Sequence, residues 1–207
     1  MTTALASEVP VNTPDEDFDE ALWQAWSSLD LPEGYRAEII EGTIEVSPAG
    51  SVDHGEVINN VRDALAPHLA DTGFRVRNDM NIRHDGGLWI PDLFVAPRNV
   101  SAYRTKGGAA LLAECVELVV EVVSPGHDGI SRDRTRKRRG YARAGIPVYV
   151  IIDGHDEGGV VSILTDPKPT EGLYTDEMRI PFGTDAVIPQ GPAKGFAITE
   201  SLTSPTE

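Results

Sequence analysis

The stretch Glu117-Leu-Val-Val-Glu-Val-Val-Ser124 decides both the fold and the search for function. A continuous apolar run of this length, ended by Ser124-Pro125, is typical of a β-strand that is covered on both faces. Glu121 interrupts the run with a carboxylate. Because an unpaired buried carboxylate is costly, Glu121 must be neutralised, hydrogen-bonded or bound to a metal ion.

A second apolar stretch, residues 88–96, repeats this arrangement with Asp92 as its single charge. We expect Asp92 and Glu121 to lie on neighbouring strands. Their oxygens suit Mg²⁺ or Mn²⁺, which keep several waters and use one or two protein carboxylates. Either acid alone could instead be a strand-end residue that pairs with an arginine or caps a loop. The occurrence of both in apolar strands favours a cation site.

The chain also carries a local concentration of positive charge. Seven of its 18 basic residues lie between positions 132 and 143, and the pattern predicts a helix over residues 128–144. On that helix Asp133, Lys137 and Tyr141 share one face, because they are four residues apart. Lys137 can therefore face the carboxylates while the arginines face solvent. A solvated helix face is the usual explanation of a charge run, but seven bases beside one acid screen one another poorly.

Length and composition indicate a single domain. The 207 residues include 40% hydrophobic and 25% charged residues, as is ordinary for globular proteins. We expect a disordered acidic arm over residues 1–17, one domain over residues 18–202 and a tail over residues 203–207. The order of elements predicts an α/β (α+β) fold in which helices flank a mixed central β-sheet.

Hydrophobic periodicity and turn residues predict the individual elements. Besides the helix over residues 128–144, helices are expected over residues 18–29, 51–71 and 109–113. Strands are expected over residues 35–40, 43–46, 74–77, 80–83, 88–96, 117–124, 148–152, 160–164, 172–174, 178–180 and 196–198. Ser51 or Asp53 can cap the helix that follows, and Pro67 is expected to kink it or end it early.

Charge and cysteine usage limit the classes of function. The net charge of -15 argues against broad attraction to nucleic acid, although the basic segment is compatible with local phosphate contact. A single cysteine, Cys115, excludes an internal disulfide and, without a secretory signal, indicates the cytoplasm. No apolar stretch approaches the ~20 residues that a membrane span requires. The histidines show no zinc-ligand spacing with Cys115.

Two further polar residues are candidates for a site. Glu38 lies beside Ile39 and Ile40 in the first predicted hairpin, where it is either partly buried or an ordinary exposed strand residue. His54 follows Ser47-Pro48 near the start of the long helix. A lone histidine in such a position is more often a structural hydrogen-bonding group than a catalytic one.

These motifs, in their order and spacing, resemble the Uma-type restriction endonuclease family of bacteria, within the PD-(D/E)xK nuclease superfamily. The resemblance runs from about residue 23 to 153, with a weaker tail to about residue 202. It rests on Tyr35-x-x-Glu38-Ile-Ile-Glu-Gly42, Ser47-Pro48 with His54, Pro91-Asp92-Leu, Glu121-Val-Val-Ser124, Asp133-Arg134-x-x-Lys137, Gly140-Tyr-Ala-x-Ala-Gly-Ile-Pro147 and Tyr149-x-Ile-x-Asp153.

The resemblance implies a restriction-endonuclease-like core, a homodimer, a Mg²⁺ (or Mn²⁺) ion and a nucleic acid substrate, with DNA favoured. It assigns Asp92, Glu121 and the carbonyl of Val122 to the metal. Val123 stands two residues after Glu121, where the superfamily carries its lysine. In this family the lysine has moved to the following helix, which here means Lys137.

Two other catalytic positions follow from the same resemblance. Glu38 corresponds to the N-terminal acid of the superfamily, and His54 to a family position. The expected function is therefore a magnesium-dependent endonuclease. A non-catalytic dimeric interaction or regulatory protein on the same fold is one alternative, since fold does not fix function. A hydrolase of a smaller phosphodiester is another, and it would suit the acidic surface better.

Overall fold

The computed structural model of the protein describes residues 14–204, with side chains for residues 19–126 and 128–204. Within these residues the chain forms an α+β fold whose strands make sheets of five, six and two strands. The predicted fold class is therefore confirmed, although two larger sheets replace the expected single central sheet. Residues 1–13 of the predicted acidic arm lie outside the described residues, and residues 14–17 belong to the first helix.

The helices are α1 (Pro14–Ser27), α2 (Val52–His68), α3 (His127–Ser131), α4 (Arg138–Arg143) and α5 (Glu200–Thr203). A π-helical segment, Arg132–Lys137, joins α3 to α4, and 3₁₀ turns occur at Ser101–Tyr103 and Ala113–Cys115. The strands are β1 (Tyr35–Ile40), β2 (Thr43–Pro48), β3 (Phe74–Arg77), β4 (Ile82–His84), β5 (Gly87–Trp89), β6 (Leu93–Pro97), β7 (Leu111–Leu112), β8 (Leu118–Val122), β9 (Val148–Asp153), β10 (Val160–Lys168), β11 (Leu173–Pro181), β12 (Ala186–Val187) and β13 (Ala197–Ile198).

The first sheet has the order β2-β1-β5-β4-β7. Its β1–β2 hairpin turns at Glu41 and Gly42, both with positive φ (51° and 73°), as a two-residue hairpin turn requires. Helix α1 packs beside β1, and the indole N–H of Trp26 donates to the carbonyl of Ala37 at 2.8 Å. This sheet brings Glu38 to the site described below.

The second sheet has the order β11-β10-β9-β8-β6-β3, and its central pair β8–β9 is parallel. Both faces of β8 are buried, as its apolar sequence predicts. On one face Val57, Val61 and Leu65 of α2 pack against the sheet. The opposite face is covered by the helical segment from α3 to α4, which contributes Tyr141 and Ala142. Glu121 points toward this second face.

The structure corrects several predicted elements. The strand expected over residues 88–96 is two strands, β5 and β6, in different sheets, because Pro91 cannot donate to a ladder. The helix expected over residues 109–113 is absent from this described part of the chain: β7 pairs with β4 there, and a 3₁₀ turn follows. The strands expected over residues 172–174 and 178–180 are one strand, β11.

The expectations for the start and the end of α2 agree with the described structure. Ser51 caps α2, its Oγ accepting from the His54 N–H at 3.3 Å, and Pro67 lies in the last turn. Cys115 is buried, and burial raises the pKa of its thiol to about 11. Among residues 14–204, no helix is both long and apolar enough to cross a membrane.

Candidate active site

Asp92 and Glu121 are held side by side by the β6–β8 ladder. Leu93 pairs with Val120 in antiparallel register, so the next pair outward is Asp92 with Glu121, and directly opposite residues point to the same face. Asp92 sits where the chain crosses from the first sheet to the second. Its Oδ2 accepts a hydrogen bond from the Val122 N–H at 2.8 Å. Both carboxylates line one cavity of about 300 Å³.

The carbonyl of Val122 is directed to the same side as Asp92. The N–H and C=O of one strand residue point to the same neighbouring strand, and the Val122 N–H faces Asp92. The next residue, Val123, faces the other way, with its N–H donating to the carbonyl of Ile152 at 2.9 Å. Two side-chain carboxylates and a backbone carbonyl thus lie at one end of β8.

Lys137 enters this cavity from the π-helical segment. Its Nζ lies 3.0 Å from Oε1 of Glu121 and 3.0 Å from Oε1 of Glu38, and its side chain is 3% exposed. The hydroxyl of Tyr141, one helical turn further on, donates to the same Glu121 oxygen at 2.5 Å. The face expected for Asp133, Lys137 and Tyr141 is the buried face of the helical segment.

Glu38 and His54 complete the group of predicted site residues in this cavity. Glu38 accepts a hydrogen bond from the N–H of Ile90 at 2.7 Å, which fixes it to the crossing segment beside Asp92. His54, in the first turn of α2, has Nε2 3.2 Å from Oδ1 of Asp92. Its Nδ1 is buried and has no hydrogen-bond partner among the described residues. The five side chains therefore converge from both sheets and two helical segments.

The electrostatics of the cavity are dominated by burial. Burial raises the pKa of Glu121 to about 8; Lys137 lowers it, whereas Asp92, Asp133 and Glu38 raise it further. Burial also opposes ionisation of Asp92, but its hydrogen bond to His54 and the nearby positive charges hold the pKa of Asp92 below its usual value.

In contrast to Glu121, Lys137 is stabilised in its charged form. Burial favours its neutral form, yet Glu121, Glu38 and Asp133 outweigh that effect and raise its pKa above the usual value. The carboxyl groups of Glu38, Asp92, Glu121 and Asp133 therefore lie close to this ammonium and to one another. The raised pKa of Glu121 means that they resist simultaneous ionisation, and a bound cation would favour their charged forms.

Two arginines in this cavity were not expected from the sequence. Arg36 lines it from β1, and Arg132 lines it from the start of the π-helical segment. Arg36 could have been found by strand periodicity, because it is two residues before Glu38 and shares its face. Arg132 could not have been found in this way. It is five residues before Lys137, so in an α-helix it would lie on a different face. The π-helical hydrogen bonding of this segment joins residues i and i+5 and therefore brings Arg132 and Lys137 to the same face.

Fold and site together define an α+β protein of the nuclease-like class, with paired carboxylates and a lysine in one cavity. The family model described as "Uma2: Putative restriction endonuclease" matches residues 23–191, and the chain belongs to this family. A solved structure titled a "putative nuclease belonging to DUF820", from Anabaena variabilis, has a TM-score of 0.64 at 17% identity. The match covers 90% of this chain and 96% of that chain, and shows the shared fold. No curated protein sequence matches this chain significantly.

Proposed function

We propose that the protein is a Mg²⁺- or Mn²⁺-dependent endonuclease of the PD-(D/E)xK type that hydrolyses phosphodiester bonds, with DNA as the favoured substrate. One observation carries the proposal. A buried lysine, Lys137, lies within hydrogen-bond distance of Glu38 and Glu121, in a cavity that Asp92 also lines. A protein that needs only a stable fold gains little from such a cluster, because burying charges costs free energy.

The donor set fits a hard divalent cation. In the part of the chain that the structure describes, no three His, Cys, Asp or Glu side chains are placed to hold an ion alone. The ligands would be Asp92, Glu121 and the Val122 carbonyl, with waters completing the sphere, as is usual for Mg²⁺. Carboxylate oxygens have two acceptor positions each, so the hydrogen bonds to Asp92 leave room. Such an ion would activate a water and neutralise charge on a phosphoryl oxygen.

The protein side chains would position and stabilise the reacting groups. The ammonium of Lys137, held by Glu38 and Glu121, would donate hydrogen bonds to the negative charge that develops on the phosphate oxygens. Glu38 would also orient the attacking water through its second oxygen. Tyr141 would fix the Glu121 carboxylate, and His54 would hold Asp92 in place. All of these groups are preorganised by contacts that the fold already makes.

The direct test is cleavage of plasmid and of single-stranded DNA, with Mg²⁺ or Mn²⁺, at low salt to offset the acidic surface. We expect metal-dependent cleavage by the wild-type protein and none by Asp92→Asn. Glu177→Gln, which changes an acid outside the cavity, is the matched control and should cleave normally. Cleavage that is unchanged in Asp92→Asn would indicate a contaminating nuclease.

The same preparations test metal binding and the alternative of an inactive protein. Titration calorimetry with Mn²⁺ should give heat with the wild-type protein and much less with Asp92→Asn. Neither heat nor cleavage of any nucleic acid would instead support a non-catalytic interaction or regulatory protein. The homodimer implied by the resemblance is tested separately, by light scattering of the eluted protein.

A smaller phosphodiester is the second candidate substrate. The cavity of about 300 Å³ is at the lower end of the range for small-molecule pockets, and the net charge of -15 disfavours long nucleic acids. Hydrolysis of bis(p-nitrophenyl) phosphate, with DNA left intact under the same conditions, would favour this candidate over the endonuclease.

A further inference from the structure

The basic helical segment is not a free phosphate-binding strip, because its outward arginines already have acidic partners. Arg134 donates to Asp153 at 2.5 Å, and Arg138 lies 2.9 Å from Glu177. The remaining contacts involve the first hairpin: Arg139 binds both oxygens of Glu41, and Arg136 contacts Glu45 and Glu41. Only the exposed Arg143, at the end of α4, has no such ion pair among the described residues.

Two arginines differ from these, and both line the cavity. Arg36 approaches Asp79 no closer than 4.0 Å, which is beyond hydrogen-bond distance. Arg132 holds the buried Asp133 through Nε at 3.0 Å. Its two terminal amino groups make no hydrogen bond within the described residues. A guanidinium that is hydrogen-bonded through one nitrogen can still donate hydrogen bonds from its terminal amino groups to another anion.

A second cavity, of about 440 Å³, continues from the first at Arg36. The two share Arg36, Ala49 and Asp92, and the second adds the side-chain amides of Asn59 and Asn78. Arg36 therefore stands where the two cavities meet, and Arg132 stands on another wall of the first. Glu121 is 2% exposed, so a scissile phosphate has to enter the cavity to reach it. An unpaired strand can do so more easily than a stacked duplex.

Building on the proposed function, we propose that the substrate is a single-stranded segment of nucleic acid that lies along these two cavities. Arg36 and Arg132 hold its phosphates, one on each side of the carboxylates, and the arginines of the outer helix face do not contact it. Lys137 remains paired with Glu38 and Glu121 and contributes little to ground-state binding. The second cavity also presents Tyr35, which is 48% exposed, as a surface for base stacking. The electrostatic part of the affinity rests on the two phosphate contacts.

Binding through two phosphate contacts predicts that the affinity depends only weakly on salt concentration. Each phosphate contact to a single strand contributes about -0.7 to the slope of log K against log salt, so two contacts give a slope of about -1.4. Between 50 and 200 mM salt the affinity should then fall only about sevenfold. A strip of seven bases would give a slope of about -5 and a loss of about three orders of magnitude.

The test is fluorescence anisotropy of a labelled single-stranded oligonucleotide, titrated with the full chain in EDTA over a salt series. We expect Arg36→Gln and Arg132→Gln each to reduce the slope to about -0.7. Arg138→Gln, which removes an equal charge from the outer face, is the matched control and should leave the slope unchanged. Arg132→Lys keeps the charge beside Asp133 and should restore the slope, which separates a phosphate contact from a folding defect. A duplex of the same sequence should bind more weakly.

Several results would overturn the inference. These are a wild-type slope steeper than about -3, an effect of Arg138→Gln equal to that of the cavity variants, or tighter binding of the duplex. If the wild-type protein cleaves DNA while Arg36→Gln and Arg132→Gln keep the wild-type slope, this inference fails and the proposed function stands. If neither binding nor cleavage of any nucleic acid is found, both fail.

Discussion

Charged residues have opposite environments on the two faces of the helical segment from α3 to α4. On the inner face Asp133 and Lys137 are almost fully buried, and Lys137 is shared between Glu38 and Glu121. On the outer face Arg138 pairs with Glu177 at the surface, where both side chains remain more than a quarter exposed. Buried and exposed charged residues thus lie within a few positions of one another in the same segment. Position on the helix, rather than residue type, determines what each charge does.

The comparison indicates which of these charges are candidates for a function. Exposed ion pairs contribute at most about 1 kcal/mol each, since water solvates the separated charges almost as well. Buried ions are costly to desolvate, and a well-packed apolar cluster of the same volume is often as stable. The inner cluster therefore needs a reason other than stability, and the proposed cation site beside a reacting phosphate would supply one.

The largest expected effect comes from Glu121→Gln. Burial raises the pKa of Glu121 to about 8, so a neutral isostere resembles a form that is already populated near neutral pH. The free energy of unfolding should change by no more than about 1–2 kcal/mol. Metal-dependent cleavage should be lost, because the amide is a poor ligand for the ion. Urea unfolding and the plasmid assay measure the two effects, and cleavage at the wild-type rate would remove Glu121 from the metal site.

Lys137→Ala should show the next largest effect and should affect both properties. Loss of a preorganised charge typically lowers a rate by about 10²–10³. Removing the ammonium that lies between Glu38 and Glu121 should cost about 3–5 kcal/mol of unfolding free energy. Mn²⁺ affinity, measured by calorimetry, should change little, because Lys137 is not a ligand. A stability loss of the size found for a surface arginine would contradict the idea that this cluster is charged and buried.

Much of this site was predictable because it follows from local periodicity. Glu121 and Asp92 stand out as single charges in apolar strands, and the spacing of Asp133, Lys137 and Tyr141 places Lys137 on the inner face. Their convergence on one cavity could be expected once β6 and β8 were taken as neighbours. The family resemblance added Glu38 and His54, which periodicity alone left open.

The features that could not be predicted depend on long-range pairing. The break at Pro91 separates β5 from β6 because the two strands find partners in different sheets, and a single apolar pattern does not reveal that. The π-helical segment that brings Arg132 above Lys137 has no local signal in a run of basic residues. Likewise, the acids that pair with the outer arginines come from the β1–β2 hairpin, β9 and β11, which lie outside the helical segment.

Tyr141→Phe should produce a smaller effect, and it tests the inner half of the comparison. The change removes the hydroxyl that donates to Glu121 at 2.5 Å, but keeps the ring and its edge contacts with Trp89 and Tyr149. The unfolding free energy should fall by about 1 kcal/mol. If the hydroxyl positions Glu121, kcat should fall while KM stays constant. A loss of stability without a change in kcat would make Tyr141 a packing residue only.

Arg138→Gln should have the smallest effect, and it tests the outer half of the comparison directly. Its ion pair with Glu177 is at the surface, so the loss of unfolding free energy should lie within about 0–1 kcal/mol and cleavage should be unchanged. A double-mutant cycle with Glu177→Gln isolates the pair itself. The coupling free energy should be small and should decrease as salt is raised, because screening acts on exposed charges. A coupling of several kcal/mol that salt does not reduce would show that the outer face is as tightly built as the inner one, and burial would then no longer distinguish the functional charges from the rest.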